Sequence, residues 1–252
     1  MMPSFPDIDP GSVWLVGAGP GDAGLLTLLA HHALQRAEVV IHDALVGTDV
    51  LAMIPESALC ISMGKRAGRT SPKQEEISAL MIEHAKAGKR VVRLKGGDPF
   101  VFARGAEEAL GLAQAGIQFR IVPGVTAGIG GLALAGIPLT SKEISSVAMA
   151  TGHGPDGQLP ADLDVEGLGR SADMLIFYMA IETLPELTAR LLKAGRDPNT
   201  PAAIVSRATL PDQQVLTATL GDLVKTVERD KPPTPALLVI GPNVALRERL
   251  KP

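Results

Sequence analysis

"VWLVGAGPGD", residues Val13–Asp22, passes from a short apolar run straight into a glycine-rich turn. Val13 to Val16 reads as a strand, and a helix follows the turn from Thr27 to Ala37. Strand, glycine turn and helix in that order open many α/β folds, and such a turn often cradles a nucleotide phosphate. Spacing decides whether this one does. The dinucleotide pattern G-x-G-x-x-G finds Gly17 and Gly19, but its third place holds Asp22. The third glycine normally permits close helix–strand packing, and a carboxylate there repels a pyrophosphate. The turn is real, and its spacing disfavours a phosphate.

The alternation continues outward from this turn. Val39 to His42 and Leu59 to Ser62 read as strands, with Cys60 of "SALCISM" an inert thiol in a buried strand. "SPKQEEISALMIEHAKAG" reads as a helix with Ser71 as N-cap, Pro72 at the first helical position and Gln74 completing a capping box. Ile77, Leu80 and Met81 carry its apolar spacing, and Gly88 ends it. "RVVRL" and "FRIV" read as strands around the helix "ARGAEEALGLAQAG". This order predicts a mostly parallel sheet covered on both faces. After "VPGVTA" the pattern changes to a glycine-rich helix, Thr126 to Ala135, and then the strands "SVAMAT", "MLIFYM", "AAIVS", "QVLTAT" and "ALLVI". Helices fall near 183–194 and 220–229. Only a turn-like spacer separates "AAIVS" from "QVLTAT", which predicts antiparallel pairing. Two α/β domains are expected, 11–126 and 127–252.

The bulk numbers narrow the class. A chain of 252 residues that is 46% hydrophobic supports a sizeable core without staples, and with 3% aromatics Ala, Leu, Val and Gly must fill it. A net charge of −3 argues against a general nucleic-acid-binding protein. The single cysteine excludes an intrachain disulfide. No run of about 18 apolar residues suggests a membrane span. The start, "MMPSFPDIDPGS", has neither a basic segment nor an apolar one, so no signal peptide and a cytoplasmic protein are expected. His31, His32, His84 and His153 lack metal-ligand spacing, so no metal is expected, and His31 and His32 are placed on a helix surface.

Four loops follow strands and carry chemistry. They are "GAGPGD"; "IHDALV" with His42 and Asp43; "MGKRAGRTSPK" with Lys65, Arg66, Arg69 and Lys73; and "LKGGDPFVFARGAEE" with Gly96, Gly97 and Asp98. Ligands of open parallel sheets sit beyond the carboxyl ends of the strands, so these loops together suggest a site with cationic and anionic groups. Gly96 and Gly97 would let a ligand approach the backbone.

The stretches "VWLVGAGPGD", "HDALV", "GKRAG", "RLKGGDPFVFARGAEEA", "PGVTAGIGGLALAGIPLT" and "YMA", in this order, resemble the uroporphyrinogen-III C-methyltransferases of the tetrapyrrole methylase family. The resemblance covers nearly the whole chain, and "RLKGGDPFVF" is its most specific element. It implies two α/β domains with the active site in a cleft between them, and S-adenosyl-L-methionine as methyl donor without a metal. It also implies methylation of uroporphyrinogen III at C-2 and C-7, through precorrin-1 to precorrin-2, toward sirohaem and cobalamin. By position, Asp43 matches the family's proton acceptor and Lys65 its proton donor. Pro20, Gly96, Gly97, Asp98, Val101, Thr126, Ala127, Met179, Ala208 and Ala236 match contacts to the methyl donor. Arg66, Arg69, Arg104 and Tyr178 are assigned to the macrocycle. A homodimer is implied. The sequence departs from the family in three places: Ala208 stands where some members have glycine, "FARGAEE" replaces "FGRGGEE", and "PLTSKE" replaces "PLTHR".

Other readings remain open on the residues alone. Asp43 lies beyond Gly19 at near the ~20-residue interval of a ribose-binding carboxylate, which fits a dinucleotide module. A non-catalytic dimeric binding protein and a methylase for a later corrin precursor also fit. Asp43 as a turn cap, Asp98 as a turn residue, and Met179 and Tyr178 as core residues are the plain structural alternatives.

Overall fold

The structure, a computed structural model, describes residues 4–64, 74–154 and 156–250. The chain divides into two compact units, Met1–Thr126 and Ala127–Pro252. The first is built on five parallel strands: β1 Val13–Gly17, β2 Val39–His42, β3 Leu59–Ser62, β4 Val91–Lys95 and β5 Phe119–Val122. Their order is β3-β2-β4-β1-β5. Alternation along each strand feeds two cores. Trp14, Val16, Val40, Val92 and Leu94 pack with Ala30, Ala33 and Leu34 of α1 (Leu28–Arg36). Val13, Leu15, Val39, Ile41 and Val91 face the other way, onto Ile77, Met81 and Ala85 of α3 (Gln74–Lys86) and Ala109 and Leu112 of α4 (Gly105–Gln114). The short α2 is Thr48–Leu51. Every residue of β1, β2 and β4 is buried, which explains the apolar runs of β1 and β2 and makes the two cations of β4 exceptional.

β3 corrects one expectation. It is the sheet's outer strand, and Leu59 and Cys60 are exposed. An apolar run in a parallel sheet does not disclose whether its strand lies at the centre or the edge. Partial desolvation still pushes the Cys60 thiol's pKa up, so it is not an activated nucleophile. The capping box expected around Ser71 and Pro72 lies outside the described residues.

The second unit mixes strand directions. β6 Val147–Thr151 runs parallel to β7 Met174–Tyr178. β10 Ala236–Ile240 is antiparallel to both β7 and β8 (Pro201–Ser206), and β8 pairs antiparallel with β9 (Gln214–Thr219), as its short spacer predicts. One face, with Leu175, Phe177, Ile204 and Leu238, packs on α6 (Val165–Ser171), α7 (Leu184–Lys193) and α8 (Leu223–Asp230). The other, with Ile176, Ala203, Val205, Leu237 and Val239, packs against Leu132 of α5 (Ala127–Leu134). Glycines in α5 cost about 1 kcal/mol each relative to Ala. Their use here is steric. A Cβ on Gly131 would stand 2.7 Å from that of Ala208, and one on Gly128 would collide with the Tyr178 hydroxyl.

The α6–α7 contact contains an ion pair with a pH signature. Glu166 accepts from Arg190 Nε at 2.9 Å and Nη2 at 2.7 Å. These bonds hold the Glu166 pKa down to about 2. A depressed carboxylate stabilises the fold above its unfolded value of about 4.3, and that contribution is lost as pH falls toward the folded value. Glu166→Gln is therefore expected to melt below the parent near neutral pH, with the gap closing as pH falls through about 4 to 3. Thermal melts across that range check this; a gap independent of pH would show that the pair's charge contributes nothing.

Candidate functional site

The crossovers of the first unit place the site. The connection leaving β1 leads to α1 on one face, and that leaving β4 leads to α4 on the other. β1 and β4 are neighbours, so their diverging connections open a crevice at their carboxyl ends, where ligands of such sheets bind. The loops after β1 and β4 meet there through their backbones. Gly19 and Gly97 form an antiparallel bridge, the Gly97 amide donating to the Gly19 carbonyl at 2.7 Å and the reverse bond measuring 3.2 Å. The Ala18 amide donates to the Lys95 carbonyl at 2.7 Å. Two amides of the first turn are thus spent on β4 and its extension, which removes them from any phosphate. Asp22 caps a short 3-10 helix, accepting from the Gly24 amide at 2.7 Å.

Gly97 is in the left-handed region, at φ 68°. Its peptide is engaged with Gly19, so its service is to the turn as well as to ligand access. Asp98 ties the loop to the end of β5: its Oδ1 accepts from the Phe100 amide at 2.8 Å and its Oδ2 from the Gly124 amide at 3.0 Å. Pro20, Gly96, Gly97 and Val101 are partly exposed at this edge, and Thr126 is buried.

Asp43 is neither a turn cap nor a solvated residue. Its amide donates to the Leu94 carbonyl at 3.1 Å, prolonging the β2–β4 ladder. Its Oδ1 accepts a short hydrogen bond from Arg93 Nη2, and Lys95 Nζ lies 4.0 Å from Oδ2. Arg93 and Lys95, two apart on β4, point to the face covered by α4. Both meet Glu108 Oε1 there, Arg93 Nε at 3.1 Å and Lys95 Nζ at 2.9 Å. Gln74 Nε2 donates to the same oxygen at 2.9 Å. Arg93, Lys95 and Glu108 are 1%, 2% and 0% exposed, while Asp43 retains 30%. Burial pushes the Lys95 pKa down and the neighbouring Arg93 adds to this, against the pull of Asp43 and Glu108.

Sequence reasoning missed these three residues. The signal was available: two cations at the same parity of a central strand face one side of a buried sheet, where a parallel strand otherwise carries aliphatic residues. Glu108 occupies the buried stripe of α4 with Gly105, Ala109 and Leu112. A buried pair broken at one partner costs about 3–5 kcal/mol, so the set is kept as a unit.

In the second unit the candidate residues share one sheet edge. β7 and β8 end where β10 begins, and the register pairs Tyr178 with Leu237 and Ser206 with Ala236. Met179 directly follows the end of β7, and Ala208 lies two residues past the end of β8. The Gly128 amide of α5 donates to the Tyr178 hydroxyl at 2.9 Å, and α5 begins with Ala127. Met179 is 48% exposed and left-handed at φ 55°, so it is not a core methionine.

Backbone strain marks the same places. Six non-glycine residues among those described have positive φ, and five are Phe102, Arg104, Met179, Arg207 and Thr209. Phe102 follows Val101, and Arg207 and Thr209 flank Ala208. Such conformations cost about 1–3 kcal/mol each and persist only where the surroundings impose them, commonly at ligand sites. Gly96 and Gly97 of the first unit carry no side chain, and Ala127, Ala208 and Ala236 of the second carry only a methyl. Arg104 is exposed and pairs with Glu107 at 2.5 Å. Lys65, Arg66 and Arg69, together with Lys73, lie outside the described residues. Among the described residues no group of three or more His, Cys, Asp or Glu could hold a metal ion, and no helix is long and apolar enough to cross a membrane.

Residues 12–224 match the tetrapyrrole (corrin/porphyrin) methylases. The chain belongs to this family. Among relatives of this methylase, a uroporphyrinogen-III C-methyltransferase from Sinorhizobium sp. is 48% identical over 98% of the chain and 88% of its own length. Siroheme synthase 1 of Klebsiella pneumoniae is 49% identical over 97% of the chain, which spans only 51% of that longer protein. A crystal structure of uroporphyrin-III C-methyl transferase from Thermus thermophilus, complexed with S-adenyl homocysteine, superposes with a TM-score of 0.79 at 39% identity, covering 93% of this chain and 99% of the other. The two α/β units are those of the tetrapyrrole methylase fold.

Proposed function

We propose that the chain transfers methyl groups from S-adenosyl-L-methionine to C-2 and C-7 of uroporphyrinogen III, giving precorrin-1 and then precorrin-2 for sirohaem and cobalamin synthesis. The observation that carries the reading is the 48% identity to a uroporphyrinogen-III C-methyltransferase across almost all of both chains. The partly exposed Asp43 at the carboxyl edge of the first sheet supports it chemically.

The methyl donor supplies a methyl on a sulfonium, already a good leaving group. By the family resemblance, Pro20, Gly96, Gly97, Asp98, Val101, Thr126, Ala127, Met179, Ala208 and Ala236 are the positions assigned to hold it. The pyrrole carbon of the macrocycle behaves as an enamine and is the nucleophile. A new carbon–carbon bond forms as the sulfur–methyl bond breaks, its electron pair staying on sulfur. Alignment of these atoms supplies up to about 7–11 kcal/mol of the barrier. One proton must then leave the macrocycle, and Asp43, held beside Arg93 and Lys95, accepts it. Lys65 is the assigned proton donor. Arg66, Arg69, Arg104 and Tyr178 meet the macrocycle, the arginines gripping its carboxylates. The working form is a cytoplasmic homodimer that takes precorrin-1 as its second substrate.

The deciding experiment is anaerobic incubation with S-adenosyl-L-methionine and uroporphyrinogen III, followed by mass analysis of the oxidised product. Two methyl groups on carbon are expected. No gain in mass, or methylation at nitrogen or oxygen, would overturn the assignment.

A further inference from the structure

Two buried cations on a central strand require a reason beyond stability, because aliphatic residues of similar volume often serve a core equally well or better. The arrangement is directional. Glu108 places three donors on Oε1, from Gln74, Arg93 and Lys95, while its buried Oε2 accepts no hydrogen bond among the described residues. Arg93 has its Nε on Glu108 and its Nη2 on Asp43 Oδ1, so one rigid guanidinium spans from the interior of the unit to the partly exposed carboxylate. Asp43 Oδ2 accepts no hydrogen bond among the described residues; Lys95 Nζ stands 4.0 Å away. The Asp43 backbone is fixed separately through Leu94.

We propose that Arg93 and Glu108 are positioning residues for Asp43: Glu108 fixes the guanidinium, and Arg93 clamps Oδ1 so that Oδ2 is the oxygen left for the reacting proton. The inference rests on the reading of Asp43 as the base. Among the described residues, the charged groups facing Asp43 are Arg93 and Lys95 of β4, with Glu108 of α4 behind them. On its own strand, His42 has Nδ1 2.9 Å from the Asp43 carbonyl oxygen. Without Arg93 the carboxylate loses the hydrogen bond that fixes Oδ1, so Oδ2 is no longer held toward the reacting proton.

Replacing Arg93 alone strands a buried carboxylate, so the test uses the charge-balanced double variant Arg93→Met with Glu108→Gln, alongside Arg93→Lys. The double variant is expected to bind S-adenosyl-L-methionine as the parent does, measured by calorimetry. Its kcat should fall on the order of 10²-fold, the cost of misplacing a reacting group by about 1 Å. Its KM values should change little, because alignment and not binding is lost. Arg93→Lys, which keeps the charge but not the fork that joins Glu108 to Asp43, should stay slow. Added to Asp43→Asn, the double change should lower kcat no further. A double change that lowers kcat further on top of Asp43→Asn would reduce the cluster to a structural role and overturn the proposal. So would parental kcat in the double variant while Asp43→Asn is slow. Parental kcat in Asp43→Asn itself would overturn the base reading, and the clamp with it.

Discussion

Asp43→Asn is expected to turn over 10²–10⁴-fold more slowly than the parent, the usual reach of a general base, while binding the methyl donor normally. The structure sharpens the reason. Arg93 donates to Oδ1 and has no acceptor to offer. The amide must therefore turn its carbonyl oxygen to Arg93 and place its NH2 where Oδ2 stood. A donor then occupies the place where an acceptor is required. The substitution also leaves two buried cations facing one carboxylate, so a lower Tm is expected with it, and rates must be referred to folded protein. Steady-state rates and calorimetry on the folded variant check this. Normal turnover would remove Asp43 from the chemistry.

Gly124→Ala is expected to cost about 1–3 kcal/mol of stability and to weaken methyl-donor binding. A Cβ there would collide with the Gly97 carbonyl oxygen and stand 2.8 Å from Gly17 Cα. Both obstacles are backbone, so no side chain can swing aside. Gly97 is bridged to Gly19, and the Gly124 amide donates to Asp98, so relief must shift the first turn, the "KGGDP" loop and the end of β5 together. Gly97→Ala is the informative comparison. Its Cβ would meet only Thr126, at 3.8 Å, and its cost comes from φ alone. Thermal melts and donor titrations of both variants test the argument. If Gly124→Ala is as stable and binds as well as the parent, the three-glycine contact does not shape the site.

Much of the first unit was legible in the chain because parallel strands buried on both faces leave continuous apolar runs, and the helices between them carry a 3.6-residue period. Asp22 in the third glycine position disfavours a phosphate on the sequence alone; the structure adds that amides of the turn are already bonded to β4 and its extension. The edge position of β3 and the exposure of Cys60 were not legible, because pairing order depends on crossovers that a local pattern does not encode.

The sequence by itself determined the strands and the longer helices, though not α2 or α6, together with the antiparallel pairing of β8 with β9 and the family, since these follow from local periodicity and from long ordered motifs such as "RLKGGDPFVF". Tertiary structure alone decided what the charged residues inside that motif do. Arg93 and Lys95 look like ordinary strand cations until the sheet buries them, and Glu108 looks like a solvated helix residue until α4 turns it inward. Their partner Asp43 lies fifty positions before Arg93, and only the pairing of β2 with β4 brings it within hydrogen-bond reach. Burial in a low-dielectric interior makes such a set cohere as a unit, and which side chains become buried together is fixed by the packing of strands and helices distant in the chain.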